Sequence, residues 1–134
     1  MSHTPMRVVP IEVDVTAAAD GTISITCTPN TADVVKDTKH ALITFKLNTT
    51  GFRFPIKDAI ILDPQVNDAD VAGANFPYSS WTVSDTQAAL YDNNKTAKAF
   101  GYTVTVVNTT TGQQYSVDPE INNGGGGVIF TGDC

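Results

Sequence analysis

The chain has 134 residues, enough for one domain with a real core and too few for two ordinary ones. Hydrophobic residues make up 41% and charged residues 16%, a balance that excludes a disordered chain. With 14 acidic residues against 8 basic ones the net charge is −6, which argues against binding a phosphate backbone, since that needs clustered Lys and Arg.

In chain order, Arg7 to Thr16 alternates and is rich in Val and Ile, with Pro10 marking an edge or a bulge. Asp20-Gly21 signals a tight turn into Thr22 to Cys27, which alternates polar and apolar, so a first hairpin is expected. Pro29-Asn30-Thr31 breaks it, and Val34 to His40 reads as a charged connector. Ala41 to Leu47 is a strand with Ile43, Phe45 and Leu47 on one face. Asn48 to Gly51 turns, and Phe52 to Phe54 starts a strand that Pro55 interrupts. Asp58 to Leu62 is nearly all apolar and reads as a buried central strand. Asp68 to Ala74 reads as a loop and Trp81 to Val83 as a short strand, while Thr86 to Tyr91 fits either a helical turn or a strand. After a turn at Asp92 to Thr96, Phe100 to Asn108 is the clearest strand, and Thr109 to Gly112 folds it back onto Gln113 to Val117. Val128-Ile129-Phe130 is a last short strand. About eight short strands at regular spacing, without a convincing amphipathic helix, predict an all-β protein: a single-domain antiparallel β-sandwich over residues 1–134, jelly-roll or immunoglobulin-like.

The chemistry concentrates at Gln113 to Asn123, where a strand-like run meets Asp118-Pro119 and four glycines, Gly124 to Gly127, follow. The proline nitrogen is tertiary, so no succinimide forms through it. The Asp118 carboxylate can instead attack its own main-chain carbonyl, close a five-membered anhydride and expel the basic proline nitrogen. Speed at neutral pH requires a positioned nucleophile and a nearby acid. The simpler reading of an Asp-Pro pair is a turn. A second block, Asp63-Pro64-Gln65-Val66-Asn67-Asp68, repeats the pattern of Asp118-Pro119-Glu120-Ile121-Asn122-Asn123.

These paired blocks resemble the DUF1888, or DP-EP, family of small bacterial β-sandwich proteins. The resemblance implies self-cleavage at an Asp-Pro bond near the C-terminus and a lysine that can become joined to the new terminal aspartate. It implies an autocatalytic, aspartic-type endopeptidase acting in cis that releases 119–134 as a self-cleaved segment, and the apolar strand Val128-Ile129-Phe130, expected in the sheet, is expected to keep that segment bound non-covalently.

The residues then take roles. Asp118 is the cleaved residue and nucleophile and Pro119 the leaving group. Asp63, at the end of an apolar run, is the expected acid/base, with Glu120 as the alternative. Pairing about Thr110 is expected to set Asp118 across from the Thr96 to Ala99 region, which makes Lys98 the nearest amine and Lys95 the second candidate. The plain alternative for both lysines is a surface charge at a strand edge. No cofactor or metal is expected: the glycine run lacks the residues of a phosphate loop, Asp68 to Gly73 departs from a calcium loop at Ala72 and Ser79, and His3 and His40 lack partners at metal spacing. Cys27 and Cys134 are expected as thiols. No apolar leader or span is seen, so a cytoplasmic protein that engages neither membrane nor nucleic acid is expected, with homo-oligomerisation left open. Two rival functions use the same residues: a structural or adhesive sandwich with a Lys to Asp or Asn isopeptide bond formed beside an acid, and a plain binding domain whose Asp-Pro blocks are turns.

Overall fold

The computed structural model describes residues 7–34, 40–63, 67, 69–96 and 98–123. Eleven strands and one helix follow in chain order: β1 (Arg7–Ala17), β2 (Ile23–Thr28), β3 (Thr31–Val34), β4 (Ala41–Leu47), β5 (Phe52–Arg53), β6 (Ile60–Leu62), α1 (Ala69–Asn75), β7 (Trp81–Ser84), β8 (Gln87–Asp92), β9 (Ala99–Asn108), β10 (Gln114–Val117) and β11 (Glu120–Asn123). One sheet has the order β2-β1-β4-β8-β7, and the other runs β10-β9-β11-β3 with β5 and β6 also paired to β9. β1 runs parallel to β4 and β3 parallel to β11, so both sheets are mixed. The two sheets pack face to face without closing into a barrel, an all-β sandwich.

The alternation seen in the sequence builds the core. Val9, Ile11, Val13 and Val15 of β1, Ile43, Phe45 and Leu47 of β4, and Phe100, Tyr102, Val104 and Val106 of β9 all point inward and are buried. Phe45 meets Tyr102 edge-on across the two sheets at 5.8 Å, and Phe76 meets Phe100 at 5.1 Å. Both expected hairpins form, β1 with β2 and β9 with β10. Pro10 lies where β1 has only β4 beside it, because β2 pairs from Glu12 onward.

Several elements depart from expectation. Ala69–Asn75 is a helix rather than a loop; Asp70 lies in its first turn, and Asn75 donates from Nδ2 to the Val71 carbonyl at 2.8 Å. Gln87–Asp92 is a strand. The run ending at Leu62 is not a central strand: β6 is three residues long and pairs only with β9, and its Ile61 is 44% exposed. Asp58 adopts a left-handed φ of 58° and cuts the run short. Two strands lay hidden in the sequence. β3 begins in the supposed break of Pro29 to Thr31 and ends at Val34, the first residue of the supposed connector, and β11 follows Asp118-Pro119 where no strand was expected. Gly124 to Gly127 and Val128 to Phe130 lie outside the described residues.

Candidate functional site

β11 positions every group of interest. It lies between β9, to which it is antiparallel, and β3, to which it is parallel, with Ile121 fully buried. β10 and β11 occupy the same edge of β9 in one continuous register. Val117 stands opposite Val104 and Glu120 opposite Gly101, which sets Asp118 opposite Thr103 and Pro119 opposite Tyr102. The Asp118-Pro119 pair is therefore not a turn. It interrupts what is otherwise one strand, because the Pro119 carbonyl accepts from the Tyr102 N–H at 3.1 Å while its nitrogen has no hydrogen to return.

The two residues face opposite ways. Pro119 is buried, and Asp118 is exposed on the outer face of the sheet. Its Oδ1 accepts from the Thr103 hydroxyl at 2.7 Å, which holds the carboxylate over β9. Alternate residues of a strand direct their backbone groups to opposite edges. Tyr102 points its N–H at β11, so Asp118, one rung away, turns its own carbonyl away from β9. The carbonyl carbon of the Asp118-Pro119 bond is thus not locked into that ladder.

The two Asp-Pro blocks converge on Gly101 from its two edges. The Asp63 N–H donates to the Gly101 carbonyl at 3.0 Å, and the Asn67 side chain takes both main-chain groups of Gly101, donating from Nδ2 to the carbonyl at 2.7 Å and accepting the N–H on Oδ1 at 3.1 Å. Glu120 stands opposite Gly101 on the other edge. Side chains on paired residues share a face, so Asp63 and Glu120 flank a glycine that puts no side chain between them. Glu120 is two residues from Asp118 on the same face, roughly 7 Å along the strand, while Asp63 is two strand spacings from β11, roughly 10 Å. Glu120 is the nearer acid to the Asp118-Pro119 bond.

The lysine expectation is corrected. Asn108 closes the β9–β10 turn by accepting the Thr110 and Thr111 N–H groups at 2.8 and 3.0 Å, with Gly112 at a φ of 76°. That turn sets Asp118 opposite Thr103 rather than opposite the 96–99 region. Lys98 lies five residues further along β9, roughly 16 Å away, and pairs instead with Asn123: the Lys98 N–H donates to the Asn123 carbonyl at 3.1 Å and the Asn123 N–H donates to the Lys98 carbonyl at 2.9 Å. Lys95 is exposed and directs its main-chain N–H to Asn75 Oδ1 at 2.7 Å, also at the far end of β11.

That far end holds a polar cluster that sequence reasoning missed. Asp92, Asn75 and Asn123, from β8, α1 and β11, are 0%, 0% and 1% exposed. Asn123 Nδ2 donates to Asp92 Oδ1 at 3.0 Å and to Asn75 Oδ1 at 3.1 Å. Asn75 Oδ1 also accepts the Lys95 and Thr96 N–H groups, at 2.7 and 2.9 Å, so one helix-end amide fastens the 95–96 segment to β11. Burial pushes the Asp92 carboxyl up to about 6, against the opposing pull of hydrogen bonds from the Asn94 N–H and the Asn123 side chain. A signal was available: in Gln87–Asp92, Ala88 and Leu90 point inward, and the same alternation carries Asp92 inward. Sequence alone puts that residue at the opening of the Asp92 to Thr96 turn rather than on the inward face of the strand.

Among the described residues no group of His, Cys, Asp and Glu could hold a metal ion, and no helix is long and apolar enough to cross a membrane. No protein-family model matches the chain, and no curated protein matches it.

Proposed function

We propose that this protein is a self-cleaving β-sandwich that breaks its own Asp118-Pro119 bond. The observation that carries the reading is the position of the bond: an imide inserted into a continuous strand, with its carbonyl turned out of the β9 ladder and its carboxylate on the outer face. The Asp118 carboxylate attacks the Asp118 main-chain carbon. The bond to the Pro119 nitrogen breaks as that nitrogen takes a proton, and water opens the resulting cyclic anhydride. The proton comes from the acids that flank Gly101, with Glu120 the nearer and Asp63 behind it across β9. Thr103 acts as a positioning residue, fixing one carboxylate oxygen so that the other is presented to the chain. The sequence resemblance to self-cleaving sandwiches supports the same reading, and turnover of other substrates is not implied.

The segment from Pro119 onward stays in place after the cut. Pro119 and Ile121 are buried, β11 is paired on both edges, and Asn123 is anchored to Asp92 and Asn75. Retention therefore rests on β11 in the manner of a complementing strand. The test is N-terminal sequencing of the purified protein after days at neutral pH. A second sequence beginning at Pro119 is expected, at unchanged elution on gel filtration. A single N-terminus and a single unhydrolysed mass would end the proposal.

A further inference from the structure

At the opposite end of β11 from the Asp118-Pro119 bond, two buried oxygens, Asp92 Oδ2 and Asn123 Oδ1, have no hydrogen-bond partner among the described residues. Both are acceptors when the carboxyl is ionised, and unpaired buried acceptors are costly. Asn123 Nδ2 already donates to Asp92 Oδ1, and one proton on Asp92 Oδ2 donated to Asn123 Oδ1 would satisfy both oxygens and complete a reciprocal acid–amide pair. The upward push of burial on the Asp92 carboxyl agrees with that assignment. A carboxylic acid hydrogen-bonded to an amide oxygen in a dry site draws electrons from the amide carbon, which makes Asn123 Cγ an electrophile.

Asn123 also faces an amine-bearing neighbour. Lys98 and Asn123 exchange both main-chain hydrogen bonds, at 3.1 and 2.9 Å, and form a directly opposed pair. Side chains of such a pair leave the sheet on the same face with Cβ atoms about 5 Å apart. The Lys98 side chain is exposed, and its four-carbon stem is long enough to span that gap. The main-chain nitrogen of Gly124 is the competing nucleophile in the sequence, because an Asn-Gly pair can close a succinimide with the same loss of ammonia.

We propose that Asn123 is the acceptor of an intramolecular amide bond, with Lys98 as the amine and Asp92 as the catalytic acid. Lys98 Nζ first gives its ammonium proton to solvent and then attacks Asn123 Cγ, and Oδ1 takes the Asp92 proton as the tetrahedral centre forms. The Asp92 carboxylate then accepts a proton from Nζ and passes it to Nδ2. The Cγ–Nδ2 bond breaks, ammonia leaves, and a Lys98–Asn123 amide remains beside the restored acid. No oxidant, metal or other reactant is consumed. The site is distinct from the Asp118-Pro119 bond and does not depend on it, but it changes what cleavage does. A chain cut at Asp118 and joined at Asn123 stays in one covalent piece through the side chains.

The experiment is intact-mass and tandem mass spectrometry on full-length protein carrying Asp118→Ala, which removes backbone cleavage from the measurement. The expected product is lighter than the calculated chain by one ammonia and yields a branched peptide joining Lys98 to Asn123. Lys98→Arg, at an exposed position, is expected to restore the calculated mass and to unfold cooperatively at a lower temperature, because the cross-link no longer constrains the unfolded chain. Asp92→Asn, which keeps the hydrogen-bonding shape, is expected to slow formation by ~10²–10⁴-fold. Asn123→Asp is expected to retain the cross-link with loss of water in place of ammonia. A folded protein that keeps its calculated mass overturns the proposal. So does ammonia loss that persists in Lys98→Arg, since that places the attack on Gly124, and so does formation at the native rate in Asp92→Asn.

Discussion

The two ends of β11 sit in opposite environments and invite opposite chemistry. At its start, Asp118 is exposed on the outer face, its carboxylate held, among the described residues, by the Thr103 hydroxyl. At its end, Asn123 is 1% exposed and bonded to two other buried polar side chains. Hydrolysis needs water and a carbonyl free to change shape, and the first end supplies both. Amide formation needs water excluded and an acid able to hold a proton, and the second end offers a buried carboxyl that burial pushes up to about 6. One four-residue strand separates a site suited to breaking the chain from one suited to joining it, and the pairing of β11 with β9 and β3 holds both in register.

The sharpest way to break the comparison is at Asp118. Asp118→Ala removes the nucleophile and any aspartyl intermediate, so cleavage falls to nothing detectable while the β11 end is untouched. Sequencing for an N-terminal Pro119 checks it, and a persistent cut in this variant removes Asp118 from the mechanism. Next in size are the two flanking acids. Loss of a general acid typically costs ~10²–10⁴-fold. Glu120→Gln is expected near the upper end of that range and Asp63→Asn near the lower, because Glu120 shares a strand with the bond and Asp63 stands across β9. Equal rates in both variants and the native chain would assign the proton to solvent.

The legibility of these two ends differed for a physical reason. Asp118-Pro119 was visible because its chemistry is intrinsic to two adjacent residues, and the hairpin that presents it follows from alternation and turn residues. The Asp92–Asn75–Asn123 cluster joins residues from a strand, a helix and another strand, and no local pattern announces that contact. The register error at Lys98 has the same origin. Alternation says which face a residue takes, but the turn at Asn108 to Gly112 decides which residue lies opposite. β11 escaped because Pro119 reads as a strand breaker, and here it removes only one rung of the pairing with β9.

A third prediction separates retention from chemistry. Ile121 is fully buried between the sheets and has no part in either reaction. Ile121→Ala is expected to cost about 3 kcal/mol of stability, within the range for truncating a buried Ile. It should also loosen β11 enough for a cleaved, uncross-linked segment to dissociate on gel filtration. Unchanged co-elution in an Ile121→Ala, Lys98→Arg double variant would mean that β11 is not the anchor.

The smallest effect reads the buried end through pH. Asp92 titrates near 3.8 when the chain is unfolded, and burial pushes it up to about 6 in the fold. A raised carboxyl means that the folded state keeps its proton while the unfolded chain has already released one. The stability contribution is therefore fully present below about pH 4, is lost as the pH rises toward 6, and is flat above that. The loss is about 3 kcal/mol, from 1.36 kcal/mol for each pH unit between the two values. Among the described residues no charged side chain is hydrogen-bonded to Asp92, which accepts from the Asn94 N–H and the Asn123 amide, so solvation dominates. Asp92→Asn supplies in the amide N–H a permanent equivalent of the proton, and the reciprocal pair with Asn123 survives at every pH. Urea midpoints for Lys98→Arg protein, with and without Asp92→Asn, at pH 4 and pH 7 make the comparison free of the cross-link. The single variant is expected to lose stability between those values relative to the double variant, and parallel behaviour of the two would mean that Asp92 is already ionised in the fold and the acid–amide pair does not exist.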